Sequence, residues 1–472
     1  IVTHGHIVAQ RGNISGSSTS TGSFGVLKLA KYNQAYGTSE LNTYYGILAG
    51  GATTIATKNV AIGNSALAAE DVGDRSVAIG YYTMTSQNSD SDNEETANTG
   101  VGYAAGYYNV TGTENTYIGF KSGFGASGQS NSANVGVGAS ALISITTGGD
   151  LIAVGRKALF SNTSGNSNTA VGVNAGYFNA TGGANTYIGS SAGKGALNQN
   201  NENNTAVGKD ALLAIRTGDY NVSVGSRSGD AVTTASGSVL LGYDAGGTLT
   251  TGNMNIAIGY KSMDGGTTTG DNNIAIGANA GDALTSGFSN IAIGKNAGGL
   301  ATTGFQNTFL GNQAGYSSTI GHYQVAIGHS ALHSEDVGNG TIAIGYLAGY
   351  SQNSDSNNEN TKNTIVGYEA GYYNVTGTAN ILIGWRAGLG VDGNSFSTNI
   401  AVGERALTAI TTGNLNTSVG HESGKTITTG NHNAFFGQNA GQDATTASGS
   451  VFIGSQAGVT TTTGNMNVAV GY

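Results

Sequence analysis

Apolar and polar positions along the chain recur in a five-residue word. The stretch Asn255-Ile-Ala-Ile-Gly259 returns, little changed, from one end of the sequence to the other. With its glycine taken as position 0, there are 25 copies, from Gly46 to Gly471, and most neighbours lie 17 residues apart. Position −1 is Ile, Val or Leu in all copies but Tyr45 and Phe436, and position −3 is Val, Ile or Thr in all but Ala434. Alternating β-branched residues predict a short strand with one buried side. Ile256 and Ile258 are therefore expected to point into a coil, with the mixed residues of position −2 facing the other way. A fixed period of this size means a solenoid, in which each repeat buries its apolar face against its neighbours.

The polar positions sharpen this. Position −4 is Asn in 19 of the 25 copies, among them Asn115, Asn185, Asn255 and Asn399. Stacking identical coils in register brings these amides about 4.8 Å apart, the spacing of a hydrogen-bonded ladder. After the glycine, position +3 is Ala or Ser in every copy except Thr83, and a turn follows, often Thr-Thr-Gly as at Thr250-Thr251-Gly252. One coil is expected to be a strand, a glycine corner, a second short strand and a Thr/Gly turn. The small residues at +3 allow close approach of an opposite wall or of a neighbouring subunit. A lone 17-residue coil encloses little, so three chains associated along these small faces are expected to form a homotrimeric rod, on the order of 115 Å long.

The fold class is thus all-β, a parallel β-solenoid of about 25 coils. Residues 1–37 lack the repeat and form a lead-in or coupling segment, and residues 38–472 are the shaft. The last word stops at Gly471-Tyr472 and residue 1 is Ile, so the chain is expected to belong to a longer protein. A longer repeat overlies the short one: residues 60–148 recur at an offset of 265 as 325–413, complete with their irregular 22- and 19-residue coils.

Composition removes several classes of function. The chain has no Cys and no Pro, 80 Gly, 10% charged residues and a formal net charge of −9. No basic stripe is present to meet phosphates, which argues against nucleic acid. No apolar run approaches the roughly 18 residues of a membrane span, so no membrane insertion by this segment is expected. Without Cys there is no disulfide and no thiolate metal site. A rod of near-identical coils offers no deep pocket where polar groups converge, so neither an enzyme nor a cofactor is expected. His329 and His333 share a face only on a helix, and Gly420-His-Glu-Ser-Gly-Lys-Thr426 is one residue short of a phosphate loop.

Units such as Asn290-Ile-Ala-Ile-Gly-Lys-Asn-Ala297 resemble the head repeats of trimeric autotransporter adhesins, which implies a trimeric left-handed parallel β-roll over about residues 42–472. The lead-in Ile14-Ser-Gly-Ser-Ser-Thr-Ser-Thr-Gly-Ser-Phe-Gly25 resembles segments of virion structural proteins and tail fibres of marine phages. The resemblance implies the shaft or receptor-contacting part of a phage tail fibre on the virion surface. The alternative is the passenger of a bacterial surface adhesin, and an ice-binding solenoid ranks below both.

Recognition is expected where the regular spacing fails. The acidic loop Asp90, Asp92, Glu94 in the first 22-residue coil is one candidate for contact with a host cell-surface receptor such as a glycan. Calcium there is weighed below a plain solvated loop, because the acids lack the fixed phase of calcium-binding β-rolls. The other candidates are aromatics near the corner: Tyr103, Tyr108, Phe120, Tyr368, Tyr373 and Trp385. Such rings either stack on sugars or fill gaps in the packing.

Overall fold

The computed structural model describes residues 41–472 except 92–93, 198–199, 355 and 357–358. Every copy of the word forms a three-residue strand, from β1 (Thr43–Tyr45) to β25 (Val468–Val470), and all 25 strands join one sheet. Each pairs in parallel with its neighbours in the same register throughout. Ile256 lies opposite Ile274, Ala257 opposite Ala275 and Ile258 opposite Ile276. The irregular coils keep this register, Ile342 meeting Thr364 across a 22-residue coil and Thr116 meeting Val135 across a 19-residue one. The strands on either side therefore stay in step whatever the length of the coil between them.

The two faces of the strand are reversed from the expectation. Position −2 is buried: Ala61, Ala78, Ala153, Ala257, Ala326 and Ala401 have little or no exposure, and so do the larger Tyr117, Leu240, Phe309, Leu382 and Phe435. Positions −3 and −1 face outward and are part-exposed, with Ile62 at 37%, Ile188 at 40% and Ile453 at 43%. The reason is width. The residues opposite, at +3 and +4, are buried too (Ala66 and Leu67, Ala141 and Leu142), so the interior is a slot between two walls that come within a few side-chain atoms of each other. A slot of that size takes Ala facing Ala with one large residue at intervals, and two rows of Ile and Val would not fit. The small residues at +3 therefore line the coil interior and form no face between subunits.

The expected second strand is also absent among the described residues. A chain of turns replaces it, joined coil to coil by backbone hydrogen bonds. The Gly50 N–H donates to the Ala66 carbonyl at 3.0 Å, Ser161 N–H to Tyr177 at 2.9 Å and Thr146 N–H to Thr163 at 2.9 Å. The backbone is thus paired along the axis even where no strand forms.

The invariant corner glycine has two reasons to be glycine. Gly63 has φ +134°, outside what other residues readily adopt, and a Cβ there would lie 2.2 Å from the Gly80 carbonyl oxygen. At +4 the backbone is again left-handed, yet Leu67 and Leu142 sit there at φ 51° and 54°, fixed by burial of their side chains. The apolar interior runs as long clusters, two of which meet near Leu284 and Ala292 at a void of about 10 Å³ lined by Met263, Ala275, Ala292 and Phe309.

Candidate functional surfaces

The Asn column is present and buried, Asn115 and Asn185 included. The expected amide-to-amide link is present, Asn185 Nδ2 donating to Asn168 Oδ1 at 3.1 Å and Asn433 Nδ2 to Asn416 Oδ1 at 2.9 Å. A second bond runs beside it: where Asn follows Asn, the backbone N–H donates to the side-chain oxygen one coil earlier, as Asn185 to Asn168 at 3.0 Å, Asn273 to Asn255 at 2.8 Å and Asn399 to Asn380 at 3.0 Å. The Nδ2 then donates across the turn to a backbone carbonyl, from Asn115 to Asn131 at 2.7 Å, from Asn255 to Gly270 at 2.9 Å and from Asn399 to Gly413 at 2.9 Å. Both ends of these three amides are used up inside the coil, whereas the buried Asn467 Nδ2 of the last copy has no partner. The column is structural, and these amides have nothing left over for a ligand.

A second, outer column escaped the sequence reading. At position −6, Ser236 N–H donates to Asn253 Oδ1 at 2.9 Å, Asn253 N–H to Asp271 at 2.6 Å and Asn414 N–H to Asn431 at 2.7 Å. Recurrent Asn, Asp and Ser at that phase were the available signal. The turn threonines also bond along the axis: Thr285 Oγ1 donates to Thr302 O at 3.0 Å, and Thr302 Oγ1 to Thr319 O at 3.0 Å.

Of the acidic loop, Asp90 is exposed and Glu94 half-buried, while Asp92 lies outside the described residues, as does Asp355 in the duplicate. Glu95 pairs with Arg75 at 2.7 Å. The carboxylate that organises this coil is one the sequence reading passed over. Glu70 is fully buried and accepts from Gly73 N–H at 2.6 Å, Gln87 Nε2 at 2.9 Å and the Ser89 N–H and hydroxyl at 3.3 Å each. Its duplicate Glu335 accepts from Gly338 N–H at 2.7 Å and from the Ser354 N–H and hydroxyl at 3.2 and 3.1 Å. Burial pushes the Glu335 carboxyl above the ordinary range against these bonds. Each Glu fastens the base of a 22-residue coil.

The 19-residue coils hold the interior tyrosines. Tyr117 and Tyr187 are fully buried, and their hydroxyls donate short hydrogen bonds to Asn131 and Asn201. Burial pushes both phenols far up.

The exposed aromatics are assembled into axial stacks. Tyr81, Tyr103 and Phe120 form one, with centroids 5.8 and 5.4 Å apart and planes within 13°. His329, Tyr346, Tyr368 and Trp385 form another, and Tyr316, His333, Tyr350 and Tyr372 a third. Tyr108 and Tyr373 stand edge-on to Tyr107 and Tyr372. Ring faces within a stack are covered by the next ring, and Trp385 also carries the Arg386 guanidinium 4.5 Å from its centre. Rings inside a stack expose edges and hydroxyls, and the end rings Tyr81 and Phe120 have a stacked ring on one side only. Near Trp385 the surface charges are paired: Arg386 to Glu369 at 2.7 Å, and Arg405 and Lys425 to Glu422 at 2.9 and 2.8 Å. The Lys425 ammonium and its neighbours hold the Glu422 carboxyl below its usual range.

Among the described residues no group of three or more His, Cys, Asp or Glu is placed to hold a metal ion, and no helix is long and apolar enough to cross a membrane. The chain matches no protein-family model and no curated protein.

Proposed function

We propose that this chain is a structural and adhesive fibre without enzymatic activity, the shaft or receptor-contacting part of a phage tail fibre on the virion surface, assembled as a homotrimer. The observation that carries the reading is the outward face of the sheet. Positions −3 and −1 present two files of Ile, Val, Leu and Thr, broken only by Tyr45, Ala434 and Phe436, along 25 strands without a single charged residue. Ile62, Ile188 and Ile453 keep 37–43% of their surface, and the apolar strip they belong to runs the length of the sheet, far longer than the isolated patches a monomeric protein commonly shows. The strip repeats once per coil, so the partner that matches it along its whole length is one with the same period, a second and third copy of this chain. Receptor contact then falls to the loops and corners outside the strip: the 22-residue coils with Asp90 and Glu94, and the edges and hydroxyls of the aromatic stacks around Tyr103, Phe120, Tyr368 and Trp385. Resemblance of the repeat to autotransporter heads supports a bacterial cell-surface passenger as the second reading, with the same assembly.

The deciding measurement is mass in solution. Sedimentation at micromolar concentration is expected to give three chains, and Ile258→Lys with Ile276→Lys, both on the outward face, is expected to reduce the assembly. A wild-type chain that sediments as a monomer would sink the homotrimer.

A further inference from the structure

In a chain with no cysteine, three of the four stacked tyrosine pairs among the described residues lie across the 22-residue coils, and the fourth, Tyr243–Tyr260 at 5.6 Å and 13°, crosses a 17-residue one. Most coils are 17 residues, and the two 22-residue coils run from Gly80 to Gly102 and from Gly345 to Gly367. Both are bracketed by a stacked tyrosine pair. Tyr81 and Tyr103 lie 5.8 Å apart at 5° across the first, and Tyr346 and Tyr368 lie 5.0 Å apart at 15° across the second. The second coil carries another pair, Tyr350 and Tyr372, 5.1 Å apart at 8°. Tyr81, Tyr103, Tyr346 and Tyr368 are 43–45% exposed, so an oxidant reaches them and the rings have room to turn.

We infer that Tyr81–Tyr103, Tyr346–Tyr368 and Tyr350–Tyr372 are sites of oxidative dityrosine cross-linking that staple the 22-residue coils shut. Each phenol gives up one electron and its hydroxyl proton to an oxidant with a peroxide bond. The two phenoxyl radicals couple through their ortho carbons, forming one C–C bond. Both rings then regain their hydroxyl hydrogens as the two ortho C–H hydrogens shift, so the pair loses two electrons and two protons in all. One hydrogen peroxide, taking these up, leaves as two waters. The link closes a 22-residue loop and removes conformational freedom from the unfolded coil, as a disulfide does in chains that have cysteine. The stack supplies the proximity: two radicals on neighbouring coils meet without a diffusional encounter.

The molecule contains its own controls. Tyr220 and Tyr323 are more exposed, at 67% and 57%, yet neither is stacked on another tyrosine, and Tyr117 and Tyr187 are fully buried. The full chain is oxidised in dilute solution with peroxodisulfate and light-activated tris(bipyridyl)ruthenium. The band that keeps single-chain mass on a denaturing gel is then digested. Trypsin cuts at Lys362, between the partners, and cleavage after Glu369 separates Tyr368 from Tyr372. The expected result is dityrosine joining the peptide of Tyr346 and Tyr350 to those of Tyr368 and Tyr372. This product should fall to background in Tyr346→Phe/Tyr350→Phe, with the Tyr81–Tyr103 link retained as the internal standard. Amide exchange within residues 345–367 should slow several-fold in the linked chain. Dityrosine found only between chains through Tyr220 and Tyr323, or joined peptides at unchanged yield in the double variant, overturns the inference.

Discussion

Residues 60–148 and 325–413 are near copies, and their differences are more instructive than their identities. In the first block Tyr117 fills the slot and its hydroxyl meets Asn131; at the same places the second block has Leu382 and Phe396, both buried. The ring has moved from the strand of one coil to the turn that follows it. A second exchange runs the same way. Met84 lies beside Gly100, where a Cβ would come 2.9 Å from the Met84 Cε, while in the duplicate Gly349 lies beside Ile365, whose Cδ1 would be 3.0 Å from a Cβ at Gly349. What the two blocks share is the volume filled between adjacent coils, and the residue that fills it is free to change coil.

The sharpest way to break the comparison is at a position where the blocks do not differ. Gly80→Ala and Gly345→Ala each drive a Cβ to 2.3 Å from the next corner's carbonyl oxygen. Each is expected to cost its coils about 4 kcal/mol or more, read by local amide exchange, and tolerance in one block alone would show that the duplicates are not equivalent. Next is the exchanged pair. Tyr117→Leu alone is expected to cost about 3 kcal/mol, because it opens a cavity and strands Asn131. Adding Asn131→Phe, the second block's partner, should recover more than half in the same exchange measurement, and failure of that rescue would refute volume sharing.

The smallest effect is a pH dependence of the second block at Glu335. The Glu335 carboxyl is raised in the fold, so the folded chain binds this proton more tightly than the unfolded chain does. Its contribution is therefore complete at acid pH, below the ordinary carboxylate value, and is lost as pH rises through the raised value. Opening of the 345–367 coil should become easier across that window, and Glu335→Gln should flatten the profile. A slope unchanged in the variant would assign the effect to another group.

The sequence displayed the period, the strand positions, the parallel register, the corner glycines and the Asn column, because each is fixed by a rule that acts at every coil. It misled on inside and outside. Alternation separates two faces but does not say which is buried, and ranking by hydrophobicity placed Ile256 and Ile258 within. That ranking presumes a core wide enough for them, and here the opposite wall is so near that a Cβ added at Gly281 would lie 3.4 Å from the Ala275 Cβ. The −6 column was missed because its partners are backbone N–H groups one coil away, and Glu70 because its partners combine a local N–H, at Gly73, with Gln87 and Ser89 of the next coil, none of which composition reveals. Non-glycine residues at left-handed φ, such as Lys58 and Asp210, were equally hidden, since stacking between coils imposes that conformation. The candidate contacts were legible only as exceptions to the repeat. The structure sorts Tyr103 and Trp385 into stacks and gives Glu94 a partly enclosed setting.

The duplication also makes the rod a calibrated spacer. The first long coil follows β3 (Val77–Ile79) and the second follows β18 (Ile342–Ile344), fifteen rungs later, an axial distance of about 70 Å at the usual strand spacing. The groups the two long coils share, such as the stacked pairs Tyr81–Tyr103 and Tyr346–Tyr368, recur at a separation fixed by the backbone. A partner carrying two copies of a matching group at that distance would engage both at once and gain avidity without any new contact. Adding or deleting whole coils between them would retune that distance in steps of one rung, leaving both ends chemically unchanged.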